Sequence, residues 1–133
     1  MCLKPLRWLA GLALFPAVSA VHAACPLAAD APNRADAEQL QMSWATVPSP
    51  MRVGEPFVMR LTLCPAAAHL VRVDATMPEH RHGMNYQPTF TALGDSVWEV
   101  KGMVWHMAGR WELRVDARLG NTPQRFTPSI TLQ

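Results

Sequence analysis

From Trp111 to Leu119 the chain alternates without a break, with Trp111, Leu113, Val115, Ala117 and Leu119 on one parity and Glu112, Arg114, Asp116 and Arg118 on the other. Successive side chains of an extended strand point to opposite faces, so such a segment buries its apolar half only in a sheet with one side against a core. A helix would scatter the same residues around its circumference. The pattern recurs along the chain. Leu40, Met42 and Trp44 share a parity; Phe57, Met59, Leu61 and Leu63 alternate with Val58, Arg60, Thr62 and Cys64; Val71, Val73, Ala75 and Met77 alternate with Arg72, Asp74 and Thr76. Phe90 to Leu93 and Val97 to Trp105 flank Gly94-Asp95, a hairpin connection. In its second arm, parity assigns Trp98, Val100 and Val104 to the buried face and Glu99, Lys101 and Met103 to the solvated one. A last strand follows Asn121-Thr122-Pro123, with Phe126, Ile130 and Leu132 inward. About seven short antiparallel strands divided by turn residues predict an all-β fold, an immunoglobulin-like antiparallel β-sandwich.

The segment before the first strand reads as an address. Residues 1–24 carry a short basic start (Lys4, Arg7), an apolar run from Trp8 to Val21 and small residues at the end, the make-up of a secretory signal peptide rather than a membrane span. Export to the periplasm is therefore expected, with no transmembrane span in the mature protein. Loss of Lys4 and Arg7 leaves ten of the 12 basic residues to face ten acidic ones. A net charge near zero with no Lys/Arg run argues against a nucleic-acid partner. Residues 25–38, rich in Ala, Pro, Asn and Asp, predict an irregular lead-in with a helical turn around Arg34 to Leu40, and residues 39–133 the sandwich domain. Cys25 and Cys64 remain after cleavage, an even pair that predicts a disulfide in an oxidising compartment. Closing that loop contributes about 4 kcal/mol in the chain-entropy model. The alternative for Cys25 is a lipidated first residue, although the preceding His22-Ala23-Ala24 lacks the usual leucine-like residue.

One stretch fits no packing requirement. Met77-Pro78-Glu79-His80-Arg81-His82-Gly83-Met84 packs two imidazoles and two thioethers into eight residues that include a proline and a glycine, and His106-Met107 answers it at the end of a later strand. Loops gather at the two ends of a sandwich, so the two clusters can meet. By parity His106 continues the buried face of its strand, and His80, His82 and Met84, spaced two apart, share a side of an extended segment. Met77 takes the opposite parity and extends the core face. Thioether sulfur suits Cu(I) and serves Zn(II), Mg(II) or Ca(II) poorly, while imidazole serves either state of copper. His80, His82, Met84 and His106 are accordingly the candidate copper ligands, with Met77 and Met107 as auxiliary donors. Zinc through His80, His82, His106 and Glu79 is the competing assignment. Met42 and Met59 lie on apolar parities and read as core, and His69 as a solvated turn residue.

The Met77 to Met84 run, followed by a hairpin and then Trp105-His106-Met107-Ala108-Gly109-Arg110-Trp111-Glu112-Leu113, resembles the YtkA-like family, which is similar in turn to FixH-type domains. The resemblance covers about Val53 to Leu119. It implies an exported or membrane-anchored sandwich domain with a contextual link to copper. The spacing of Met84 and His106 also resembles one part of the motif of periplasmic copper chaperones of the PCuAC type, whose upstream His-Met and terminal His-x-Met are absent here.

Two functional classes follow. One is an exported copper-binding protein that holds or delivers Cu(I) or Cu(II). The alternative is a metal-free interaction module whose loops dock on a membrane oxidase or a metal transporter. An enzyme is not expected: no Ser or Cys nucleophile sits beside a histidine in a recognisable setting, and paired carboxylates and a Gly-rich phosphate loop are lacking.

Overall fold

The computed structural model describes Cys25, Leu27 and residues 31–133. The expected signal peptide, residues 1–24, lies outside the described residues. Ten strands follow in order: β1 (Arg34–Asp36), β2 (Gln41–Val47), β3 (Pro56–Cys64), β4 (Ala68–Met77), β5 (His82–Gly83), β6 (Thr89–Gly94), β7 (Val97–Val104), β8 (Gly109–Leu119), β9 (Thr122–Phe126) and β10 (Ser129–Leu132). Every pairing is antiparallel. One sheet runs β1-β2-β3-β7-β6; the other runs β10-β8-β4-β5, with β9 also paired to β8.

The expected number of strands is recovered once short pieces are set aside. β9 and β10 lie end to end along β8, interrupted at Thr127-Pro128, where Leu113 N–H still donates to the Pro128 carbonyl at 3.0 Å. Without β1 and β5, seven strands remain, four in one sheet (β2-β3-β7-β6) and three in the other (β4, β8 and the β9/β10 return). That 4 + 3 order is that of a constant-type immunoglobulin sandwich. β6 and β7 are joined by Asp95-Ser96, both at positive φ (50° and 66°), the conformation a two-residue hairpin demands. The lead-in departs from the expectation: Arg34–Asp36 is strand, not helical turn, because its backbone finds a ladder partner in Gln41 to Ser43.

Between the sheets the alternating residues make one core, with Leu40, Met42, Met59, Leu61, Leu63, Ala75, Leu113, Val115 and Phe126 closed to solvent. The Cys25–Cys64 disulfide ties the lead-in to the end of β3. A sulfur engaged there cannot also carry a lipid. Among the described residues no helix is long and apolar enough to cross a membrane.

Two bulges overturn parts of the parity reading. In β7, Met103 pairs with Phe57 and Val100 with Met59, so Lys101 and Gly102 together oppose the single residue Val58. Gly102 takes φ +81°, as the extra residue of a bulge requires. Because side chains alternate with period two, one added residue inverts every face beyond it. Met103, expected on the solvated side, is fully buried together with Trp105, and Val104 and His106, expected on the buried side, turn away from the core. Each inversion is energetically substantial, since burying a side chain of Met size is worth about 1.5–3 kcal/mol. In β4 the register shifts between Leu70 and Arg72, which leaves Val71 half-exposed and Leu70 buried in its place.

Candidate functional site

The β2–β3 connection, the β4–β6 connection and the β7–β8 corner lie at the same end of the sandwich, as the register requires: Pro56 at the start of β3 pairs with Val104 at the end of β7, and Gly54 N–H donates to the Trp105 carbonyl at 2.8 Å. The Cys25–Cys64 bond is at the other end of β3.

The His80 stretch is not a loop that excludes strand. β4 runs to Met77, Pro78 opens a turn closed by His80 N–H donating to the Met77 carbonyl at 3.1 Å, and Arg81 takes φ +55° to bring the chain back. His82 and Gly83 then pair with Met77 and Thr76 as β5, and Met84 N–H continues the ladder to the Ala75 carbonyl at 3.2 Å. Two expectations change as a result. His80 belongs to the turn and is exposed, so it does not share an extended face with His82 and Met84. Met77 stands directly across from His82, and directly opposed residues of a ladder project from the same face. The four-residue turn reconciles what linear parity separated.

That shared face looks inward. Met77 is 1% exposed, Met84 is half-buried against the core, and His82 is half-buried between them at the sheet edge. His106, from the corner after β7, approaches from the opposite sheet. The His82 and His106 ring centroids are 5.1 Å apart with planes 31° from parallel; His80 lies 5.9 Å from His82 at 46°. A metal held at about 2.0–2.1 Å by one nitrogen of each of two imidazoles leaves their centroids roughly 4.5–6.5 Å apart, a range that contains both separations. His82 Nδ1 lies 3.4 Å from its neighbour's Gly83 carbonyl, a long contact, and its Nε2 is closed off from solvent without a hydrogen-bond partner. A buried imidazole nitrogen without a partner costs stability unless something occupies it.

The surroundings fix the corner. Arg110 Nε donates to Glu79 Oε1 at 3.0 Å, fastening the His80 turn to the start of β8 and occupying the carboxylate that a zinc site would draw on. Met107 is half-buried, and its carbonyl accepts from Trp111 Nε1 at 2.9 Å. Trp111 stacks on Trp105 at 5.2 Å with planes 9° apart, and Phe57 meets Trp105 edge-on at 5.4 Å. Gly109 has φ +122°, and a Cβ there would come within 3.0 Å of Met77 Cε. Trp111 and Gly109 are the site's unanticipated contributors. Trp111 reads in sequence only as the first apolar residue of a strand, and Gly109 only as a turn residue.

Six side chains named from the sequence thus belong to one tip: His82 and His106 with rings 5.1 Å apart, His80 outside them, Met77 in the core, and Met84 and Met107 packed against it. His69 lies apart, exposed on β4 opposite Arg118. Among the described residues no group of three or more His, Cys, Asp or Glu side chains is arranged to hold a metal ion. In comparisons with known proteins no family model, no curated protein and no solved structure matches the chain, so nothing in them identifies a YtkA-like family.

Proposed function

We propose that this protein binds a single copper ion, as Cu(I) in its holding state, between His82 and His106, and that it does so after export. The observation that carries the reading is the pair itself: two imidazoles from different sheets at 5.1 Å, one with a buried nitrogen that meets no partner, with Met77 directly across the ladder from His82. Soft sulfur beside imidazole favours Cu(I) over harder divalent ions. Zinc is less well supported, because three hard or borderline donors do not stand together here and Glu79 is already paired with Arg110. Met77, across the ladder from His82, is the first thioether donor; Met84 and Met107 are the next. His80, exposed on the outer side of His82, is the residue that can meet an incoming or departing ion first, which fits a protein that holds and passes on its metal. The Cys25–Cys64 bond fits an oxidising compartment, where methionine and histidine donors avoid the chemistry that consumes thiolates.

The test is titration of the mature apoprotein with Cu(I), Cu(II) and Zn(II) against a competing chelator. One equivalent of Cu(I) is expected to bind, with affinity lowered by roughly tenfold or more in His82→Ala and in His106→Ala and by less in His80→Ala. Wild-type protein that binds Cu(I) no more tightly than the His82→Ala/His106→Ala double variant would refute it, and would leave docking by a metal-free tip as the reading to pursue.

A further inference from the structure

The corner between β7 and β8 is closed in an unusual way. Immunoglobulin-like sandwiches close this corner with a tyrosine near the start of the equivalent strand, whose hydroxyl reaches back to the backbone a few residues upstream. Here Trp111 takes that place, its indole N–H donating to the carbonyl of Met107, four residues back. An indole does more than a phenol can, because its second ring adds a broad side wall. Trp111 meets His82 at 6.0 Å and 76° and His106 at 5.6 Å and 78°, while Trp105 stacks behind it and prevents it from tilting away. Among the described residues, Trp111 is the aromatic side chain in ring contact with both imidazoles of the facing pair.

We infer that Trp111 is a positioning residue that sets the separation of His82 and His106. Its N–H fixes the height of the His106-Met107 turn over the core, and its ring gives the two imidazoles, which arrive from different sheets, a common wall. His106 is exposed and sits outside any strand, so no ladder restrains it; the wall replaces the restraint. Ligands already held at binding separation need not be ordered when the ion arrives, so the effect of the strut is on affinity as well as on stability. The consequence for metal rests on the copper reading; the geometric claim does not.

The test uses the mature chain with Trp111→Phe, which keeps a smaller ring and loses the N–H, Trp111→Leu, which removes the ring, and Val115→Ala, a buried change on the same strand in ring contact with neither histidine. In apoprotein, proton cross-peaks between the His82 and His106 rings are expected in wild type and in Val115→Ala, weakened in Trp111→Phe and absent in Trp111→Leu. Cu(I) affinity by chelator competition is expected to fall about tenfold or more in Trp111→Leu and to stay within about twofold in Val115→Ala, although both lose thermal stability. The inference is overturned if Trp111→Leu keeps the cross-peaks, or if Val115→Ala loses as much affinity as Trp111→Leu. Where Trp111→Leu does not fold, Trp111→Phe decides: unchanged cross-peaks in that variant overturn the inference. Failure of wild type to bind Cu(I) removes the copper reading alone, since the apoprotein cross-peaks still decide whether the indole spaces the pair.

Discussion

Gly109→Ala separates the two demands that the corner makes on this position. The first is backbone: a non-glycine residue held at φ +122° costs about 1–3 kcal/mol. The second is contact. The new methyl would lie 3.0 Å from Met77 Cε, closer than carbon atoms pack comfortably, so one of them must give by a few tenths of an ångström. Met77 is the flexible partner, but it is 1% exposed and packed in the core, and overpacking of this kind costs about 1–3 kcal/mol. The sum is about 2–6 kcal/mol, a large part of the 5–15 kcal/mol typical of a domain this size. Gly102→Ala provides the matched control. Its φ is +81°, but a Cβ there meets only Pro88 Cα at 3.7 Å, ordinary contact, so only the backbone cost applies. Denaturant unfolding of Gly109→Ala, Gly102→Ala, Met77→Ala and the Gly109→Ala/Met77→Ala double variant measures both parts. Removing Met77 is expected to relieve the contact and give a coupling energy of about 1–3 kcal/mol between the two positions. Strict additivity, or a Gly109→Ala cost no larger than that of Gly102→Ala, would refute the argument. Displacement of the Met77 thioether is also expected to weaken Cu(I) binding in Gly109→Ala, because Met77 stands across from His82.

Two further outcomes follow from interactions away from the tip. Replacing Cys25 and Cys64 by serine opens a loop spanning 39 residues and is expected to cost about 4 kcal/mol, read as a lower denaturation midpoint that added reductant does not lower further. Glu99 sits with its carboxylate 2.8 Å from Lys101 Nζ, a hydrogen bond that, with the positive charges of Lys101 and Arg60, holds its pKa below the ordinary 4.5. A carboxylate lowered in the folded state contributes stability that is present above the unfolded value and lost as pH falls through the folded one. The stability of Glu99→Gln is therefore expected to fall slightly below that of wild type above pH 4.5 and to converge with it as pH drops below that value.

Much of this protein is legible in sequence because a strand writes its environment at a fixed period. The Trp111 to Leu119 alternation, the Phe57 to Leu63 alternation and the turn residues between strands specify a two-sheet sandwich, its core and its disulfide, since each depends on neighbours two residues apart or on a simple even count of cysteines. Gly102 was the readable warning in β7, an isolated glycine inside a strand, yet the side on which the extra residue falls depends on pairing with β3. Tertiary pairing therefore decided that Met103 and Trp105 are buried and that His106 faces outward. It also decided that Met77 faces His82, because the return of β5 onto β4 converts opposite parities into a shared face. The meeting of His82, His106 and Trp111 likewise joins segments distant in sequence, and distance along the chain carries no record of which strand ends share a tip. The local period determines most of the core, up to the bulges that invert it; only the closed fold determines where those bulges fall and which side chains meet at the rim.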